Sequence, residues 1–310
     1  MRGSVLPRLR LRLAGRLFFL AWLSKILAPV DFSPRCKGAA RYATALTRHF
    51  RAELFLLHAV PADMTPFASP ESTAYPTLGE WNYGRLKQRR NELAALLGER
   101  TGDFTVTHEA VIGDAAETIV SYAREHSVDV IVMATHGYGP LRRLLLGSVT
   151  AKVLHNSHCP VWTGPSLDAA PDQGSVCIRR ILCAIDLSVS SPAALQWAEE
   201  LARAYEAGLA VIHVISGSQV RLGNVYSDPE WRAEILRPGP KPAQKKEGQD
   251  SEPELPVESG DASAAITDLA RQWRADLLVI GRGGEAGVLG RLRTNAYDIL
   301  RDSPCPVVVV

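Results

Sequence analysis

Segments of this chain recur at fixed intervals, and a duplicated unit restricts the fold more tightly than any composition figure does. Ile26-Leu27-Ala28-Pro29-Val30-Asp31-Phe32-Ser33 is echoed 155 residues later by Ile181-Leu182-Cys183-Ala184-Ile185-Asp186-Leu187-Ser188. Leu56-Leu57-His58-Ala59-Val60 and Val211-Ile212-His213-Val214-Ile215 share that offset. At an offset of 147, Gly113-Asp114-Ala115 returns as Gly260-Asp261-Ala262, and Val128-Asp129-Val130-Ile131-Val132 as Ala275-Asp276-Leu277-Leu278-Val279. Ser157-His158-Cys159-Pro160-Val161 returns as Ser303-Pro304-Cys305-Pro306-Val307. The chain therefore reads as two copies of one domain, at 25–165 and 178–310, after an extension at 1–24 and around a Pro- and Gly-bearing linker at 166–177. Its 310 residues, 46% of them apolar, suffice for two ordinary cores.

Within each copy, short apolar runs alternate with helical periodicity, the pattern of a parallel sheet covered on both faces. Strands are predicted near 25–30, 53–59, 104–110, 129–134 and 160–164, with helices near 35–49, 80–98, 114–126 and 148–156. The second copy has strands near 180–185, 209–215, 254–258, 276–281 and 306–310. The stretch from Pro238 reads as a solvated segment in place of its second helix. Residues 61–79 read as a loop or lid.

Charge is distributed unevenly. Residues 1–24 hold five arginines and no acid, leaving 30 basic against 33 acidic side chains in the body, which is not a nucleic-acid footprint. The apolar run Leu17–Leu23 is shorter than the roughly 20 residues of a spanning helix. It leads straight into the first strand with no cleavage spacer, so we read residues 1–24 as an extension rather than an export signal or membrane span. Five scattered cysteines, odd in number and without a CxxC, indicate reduced thiols, no disulfide framework, no zinc site and a cytoplasmic location.

The stretch with most chemical content runs from Val130 to Thr150. An apolar strand leads through a glycine-bearing loop to Gly147-Ser148-Val149-Thr150 and a helix start. The first amides of a helix lack intrahelical acceptors and its dipole favours negative charge there, so this is an anion site. Ser148 and Thr150 add hydroxyls. No Gly-x-x-x-x-Gly-Lys-[Ser/Thr] is present, which excludes a P-loop. Open parallel sheets bind ligands beyond the carboxyl ends of their strands. Asp31, ending the first strand, would face this cradle if the first and fourth strands are neighbours. A carboxylate at one end and an anion cradle at the other fit a nucleotide. Asp31 serves equally as a helix cap. His136, Arg142 and Arg143 are each read as either phosphate contacts or solvated loop residues. His58 and His213, at matching places, suit packing better than catalysis. Cys36, near a helix N-terminus, is read as inert rather than reactive.

Asp-Phe-Ser-Pro at 31–34, Leu-His after the second strand, and Ala134-x2-Gly137-x9-Gly147-Ser148 together resemble the universal stress protein family, across about 25–165 and 178–310. The resemblance implies two Rossmann-like domains of the adenine nucleotide alpha hydrolase-like type. Each would hold a five-stranded parallel sheet in order 3-2-1-4-5 flanked by helices. It implies ATP as the ligand, with or without Mg2+. Pro29, Val30 and Asp31 would border adenine and ribose, Leu54 and Met133 would be apolar contacts, and Ala134, Thr135, His136, Gly137, Gly147, Ser148, Val149 and Thr150 would form the phosphate side. Ala134 stands where the family pattern has its first glycine. In the second copy Thr294-Asn295 replaces Gly-Ser, so one nucleotide site, in the first domain, is expected. The resemblance also implies an intramolecular pseudo-dimer meeting through the last strands, with a homodimer as the family habit. The functional expectation is an ATP-binding stress-response or signalling module rather than an enzyme. A nucleotide-free interaction scaffold and a slow ATPase are the alternatives.

Overall fold

A computed structural model describes residues 22–62, 78–97, 104–135, 146–164, 167, 176–186, 191–215, 257–259, 262–282 and 294–310, and the statements below concern those residues. The first copy runs β1 (Lys25–Pro29), α1 (Pro34–Phe50), β2 (Glu53–Val60), α2 (Leu78–Leu96), β3 (Val106–Ile112), α3 (Ala115–Glu125), β4 (Val130–Val132), α4 (Ser148–Asn156) and β5 (Val161–Thr163). The second runs β6 (Arg180–Ile185), α5 (Ser191–Tyr205), β7 (Gly208–Ile215), β8 (Val257–Ser259), α6 (Ala262–Gln272), β9 (Leu277–Ile280), α7 (Thr294–Asp302) and β10 (Val307–Val309). Here β8 starts at Val257, three residues later than 254–258 suggests; Pro256 has no N–H for a ladder, which favours a start beyond it.

The strands form one sheet in the order β3-β2-β1-β4-β5-β10-β9-β6-β7-β8. Each copy thus has the order 3-2-1-4-5, its internal pairs parallel, and the copies meet where β5 and β10 pair antiparallel, with Val308 opposite Trp162. Alternate residues of a strand feed opposite faces. Ile26 and Ala28 belong to a buried cluster that also takes in side chains of α1, α2 and α5, whereas Leu27 belongs to one with side chains of α3, α4, α6 and α7. Both cores run through the seam from one domain into the other. An aromatic group reinforces the junction: Trp22 meets Trp197 at 4.6 Å, and His49 stacks on Tyr205 at 4.1 Å.

Local geometry repeats with the sequence. Asp129 Oδ2 accepts from the backbone N–H of Ser24 (2.7 Å) and Lys25 (2.9 Å), and Asp276 Oδ2 accepts likewise from Arg179 (2.8 Å) and Arg180 (3.0 Å). These carboxylates clamp the amino ends of β1 and β6, a role that repetition alone did not reveal. Four helices end on a non-glycine residue in the left-handed region, Arg51, Ser127, Glu206 and Arg274, paired across the copies. After each, the next N–H closes on a carbonyl five residues back, as from Ala52 to Thr47 (3.0 Å) and Ala207 to Ala202 (2.9 Å).

Two boundaries move. Leu23 is fully buried and Trp22 is packed at the junction, so the folded body begins before Lys25. Within the stretch read as linker, Leu167 and Val176 are buried members of the core cluster that includes side chains of α1 and α5.

Candidate functional site

The first three strands progress to one side of β1 while β4 and β5 lie on the other, so strand order reverses between β1 and β4. The register Leu27↔Ile131, extended three residues, brings Val30 level with Ala134 at the carboxyl edge. Val30 N donates to Leu57 O at 2.8 Å, continuing the ladder past Pro29. His58 Nδ1 lies 2.6 Å from Val30 O; a carbonyl can only accept, so Nδ1 carries the proton. His213 repeats this on Ile185 O at 3.0 Å. Both histidines therefore fasten the exit of a central strand. Burial, foremost, keeps His58 below its ordinary pKa.

Beyond Val30 the chain turns sharply. Phe32 adopts φ 63, a conformation that non-glycine residues rarely take, and its ring lies 4.8 Å from that of His58 and 5.4 Å from the Arg89 guanidinium carbon. Asp31 is exposed at the rim, and its Oδ1 accepts from Ser33 N at 2.9 Å. Asp31 N donates to Cys36 Sγ and Cys36 Sγ to Pro29 O, both at 3.3 Å. Asp31 thus shapes the turn and remains exposed at the end of β1. Burial, with the Asp31 charge adding to it, pushes the Cys36 thiol up to about 12. Its place near a helix N-terminus does not make it reactive.

Across the crevice, Met133 N donates to Trp162 O at 3.0 Å, and Ala134 and Thr135 follow. Gly147 N donates to Thr135 O at 2.8 Å, which brings the two ends of the intervening loop together. Gly147 is the N-cap of α4 and makes no side-chain cap bond, so the helix dipole faces the crevice without a competing side chain. Its φ of −61 suits any residue, and the position is buried. Ser148 is exposed and Val149 half-buried beside it. The Thr150 hydroxyl, expected as a ligand group, instead donates to Ala134 O at 3.0 Å and ties the helix to the strand end. His136, Gly137, Arg142 and Arg143 lie outside the described residues.

Leu54 does not reach this site. It pairs with Ile26 at the amino end of β2 and is fully buried, four residues and about 13 Å below Val30 at ~3.3 Å per residue. At the crevice level β2 offers His58 and Ala59, both half-buried.

In the second copy Ser191 Oγ, on the first residue of α5, donates to Asp186 Oδ1 at 3.0 Å, so that carboxylate is engaged by its own domain. Among the described residues no cluster of three or more His, Cys, Asp or Glu is arranged to hold a metal ion, and no helix is long and apolar enough to cross a membrane. All five cysteines are free, Cys177 exposed and the others buried.

The model of the universal stress protein family matches residues 23–163 and again 178–310. The chain belongs to the universal stress protein family. A universal stress protein of Mycolicibacterium smegmatis is 26% identical over 290 residues, covering 92% of this chain and 96% of its own. Over a single domain, universal stress protein MJ0531 of Methanocaldococcus jannaschii is 33% identical over 141 residues, covering 44% of this chain and 79% of its own. The crystal structure of a universal stress protein from Archaeoglobus fulgidus superposes with a TM-score of 0.63 at 21% identity, covering 93% of this chain and 96% of that one. At that identity it bears on the fold alone. This universal stress protein is thus a tandem member, with both copies in one sheet.

Proposed function

We propose that the first domain of this universal stress protein binds one adenine nucleotide, ATP with or without Mg2+, in the crevice between β1 and β4. The observation that carries the reading is the uncapped start of α4. The bond from Gly147 N to Thr135 O holds that start against the carboxyl edge, and an exposed Asp31 stands on the neighbouring strand. The amides of Ser148, Val149 and Thr150 suit phosphate, and Asp31 suits ribose hydroxyls or an exocyclic amine, since carboxylates accept and phosphates do not donate. Pro29, Val30 and Met133 supply apolar surface between those ends. His136 and Gly137 complete the family pattern in sequence. Loading would act as a signal in a stress response; the role is binding, not turnover, and we assign it to the cytoplasm.

The two domains act as an intramolecular pseudo-dimer. Because β5 and β10 are already paired with each other, a homodimer would have to use another surface than the last strands.

Denaturing the purified protein and identifying released nucleotide by mass spectrometry tests the reading directly. Melting temperature should also rise with added ATP, corresponding to about 2.7 kcal/mol at a hundredfold excess over Kd. Gly147→Arg, which puts a long side chain at the helix start, should remove both signals. No nucleotide and no ATP-dependent shift in the unaltered chain would leave the interaction scaffold as the better description.

A further inference from the structure

Gly281-Arg282, directly after β9, stands 147 residues beyond Ala134-Thr135 and so holds the same place in the second copy. Thr135 serves its own domain, accepting from Gly147 N. Arg282 serves the other one. Its backbone N–H donates to Val310 O at 3.0 Å, and its guanidinium crosses the seam to donate from Nη1 to Ser157 O and from Nη2 to Cys159 O. Ser157 is the C-cap of α4, its N–H closing the last turn on Val153 O at 2.8 Å. The cation therefore sits on the carbonyl end of the helix whose amide end faces the crevice, where it complements the dipole. A planar guanidinium with two donors sets a direction as well as a distance. Burial, followed by the charges of Arg124 and Arg282, holds the adjacent His158 below its ordinary pKa, so near neutral pH it does not compete as a second cation.

The helix is thus tied at both ends by residues that follow a central strand: Thr150 Oγ1 to Ala134 O at its start, Arg282 at its close. It is a rod of nine residues, about 13 Å long at ~1.5 Å per residue, and what holds one end aims the other.

We infer that Arg282 is a positioning residue for the phosphate end of the first domain, so that the carboxyl end of β9 braces that domain rather than serving a second nucleotide site. The inference rests on the nucleotide reading of the crevice. Full-length Arg282→Ala and Arg282→Lys should be titrated calorimetrically with ATP and with adenosine, which lacks the phosphates that α4 would hold. Arg282→Ala should bind ATP on the order of tenfold more weakly and adenosine within about twofold of the unaltered chain, because only the aim of α4 changes. Arg282→Lys, a point donor, should fall between. Equal losses for both ligands would mean a general structural role, and an unchanged ATP affinity would mean no role; either overturns the proposal. In the ligand-free chain, Arg282→Ala should also speed hydrogen exchange in the last turn of α4, and unchanged exchange there rejects the brace. If the unaltered chain binds neither ligand, the nucleotide reading falls and the positioning role with it, while exchange still decides whether the brace exists.

Discussion

Ser148 is the first residue of α4, exposed, and preceded by a glycine that leaves the helix start uncapped. A carboxylate there would be favoured by the helix dipole and would repel a bound phosphate. Ser148→Glu is expected to stabilise the helix by about 0.3–1 kcal/mol, so the melting temperature holds or rises. Its ATP affinity should fall roughly tenfold or more at low salt. Unchanged affinity in isothermal titration would put the anion elsewhere. Protons report on the same scale. Burial is the first cause of lowered pKa values at His58, His108 and His158. Each binds a proton more weakly folded than unfolded, so the unfolded chain gains protons as pH falls below the ordinary value near 6.5. Stability is therefore fully present above that pH and declines below it. Urea midpoints should drop from pH 8 to about 5.5, less steeply in His58→Gln; a midpoint that rises on acidification contradicts this.

Among the elements, α1 shows how the chain begins a helix beside a site. Pro34 occupies the first turn, Ser33 Oγ accepts from Cys36 N at 3.2 Å, and Ser33 O accepts from Lys37 N at 3.1 Å. Removing the hydroxyl in Ser33→Ala should lower stability by about 1 kcal/mol in chemical denaturation. The bond to Asp31 uses the Ser33 backbone N–H, so ATP affinity should stay within about twofold. A large loss of affinity would mean that the cap, not Asp31 itself, maintains the rim. Helix starts of this kind were legible because Ser-Pro, Gly-Asp and Gly-Ser announce themselves in composition. The helix ends were not. Arg51, Ser127, Glu206 and Arg274 take the left-handed conformation with no glycine to mark it, since the carbonyl-closing bonds compensate for the steric cost. Leu54, expected at the site from the family resemblance, lies low on β2 for a related reason: a position matched in sequence says nothing about height along a strand until the register is known.

For the whole molecule the seam between β5 and β10 is decisive, because it converts two domains into one sheet with shared cores. Gly164 leaves β5 at φ 151, and a Cβ added there would stand 2.8 Å from Pro306 Cα across the seam. Both backbone strands would have to part. Gly164→Ala is expected to cost about 1–3 kcal/mol and to destabilise the two halves together, in a single urea transition followed by fluorescence and circular dichroism. Two separated transitions would show that the halves unfold independently and that the seam is weak.

What the amino-acid order determined by itself was the duplication, the strand–helix alternation and the helix start at Gly147-Ser148, because each is a local pattern of hydrophobicity, turn chemistry and spacing. The family pattern added the expectation that the last strands meet. Tertiary structure alone decided the rest. It put Asp129 and Asp276 under the central strands, turned the Thr150 hydroxyl inward to Ala134, and carried Arg282 across the seam to the far end of α4. These are contacts between residues roughly 16 to 125 positions apart, whose energy depends on distance and direction in three dimensions. No local pattern encodes them. They exist only once the sheet has brought its strands into register.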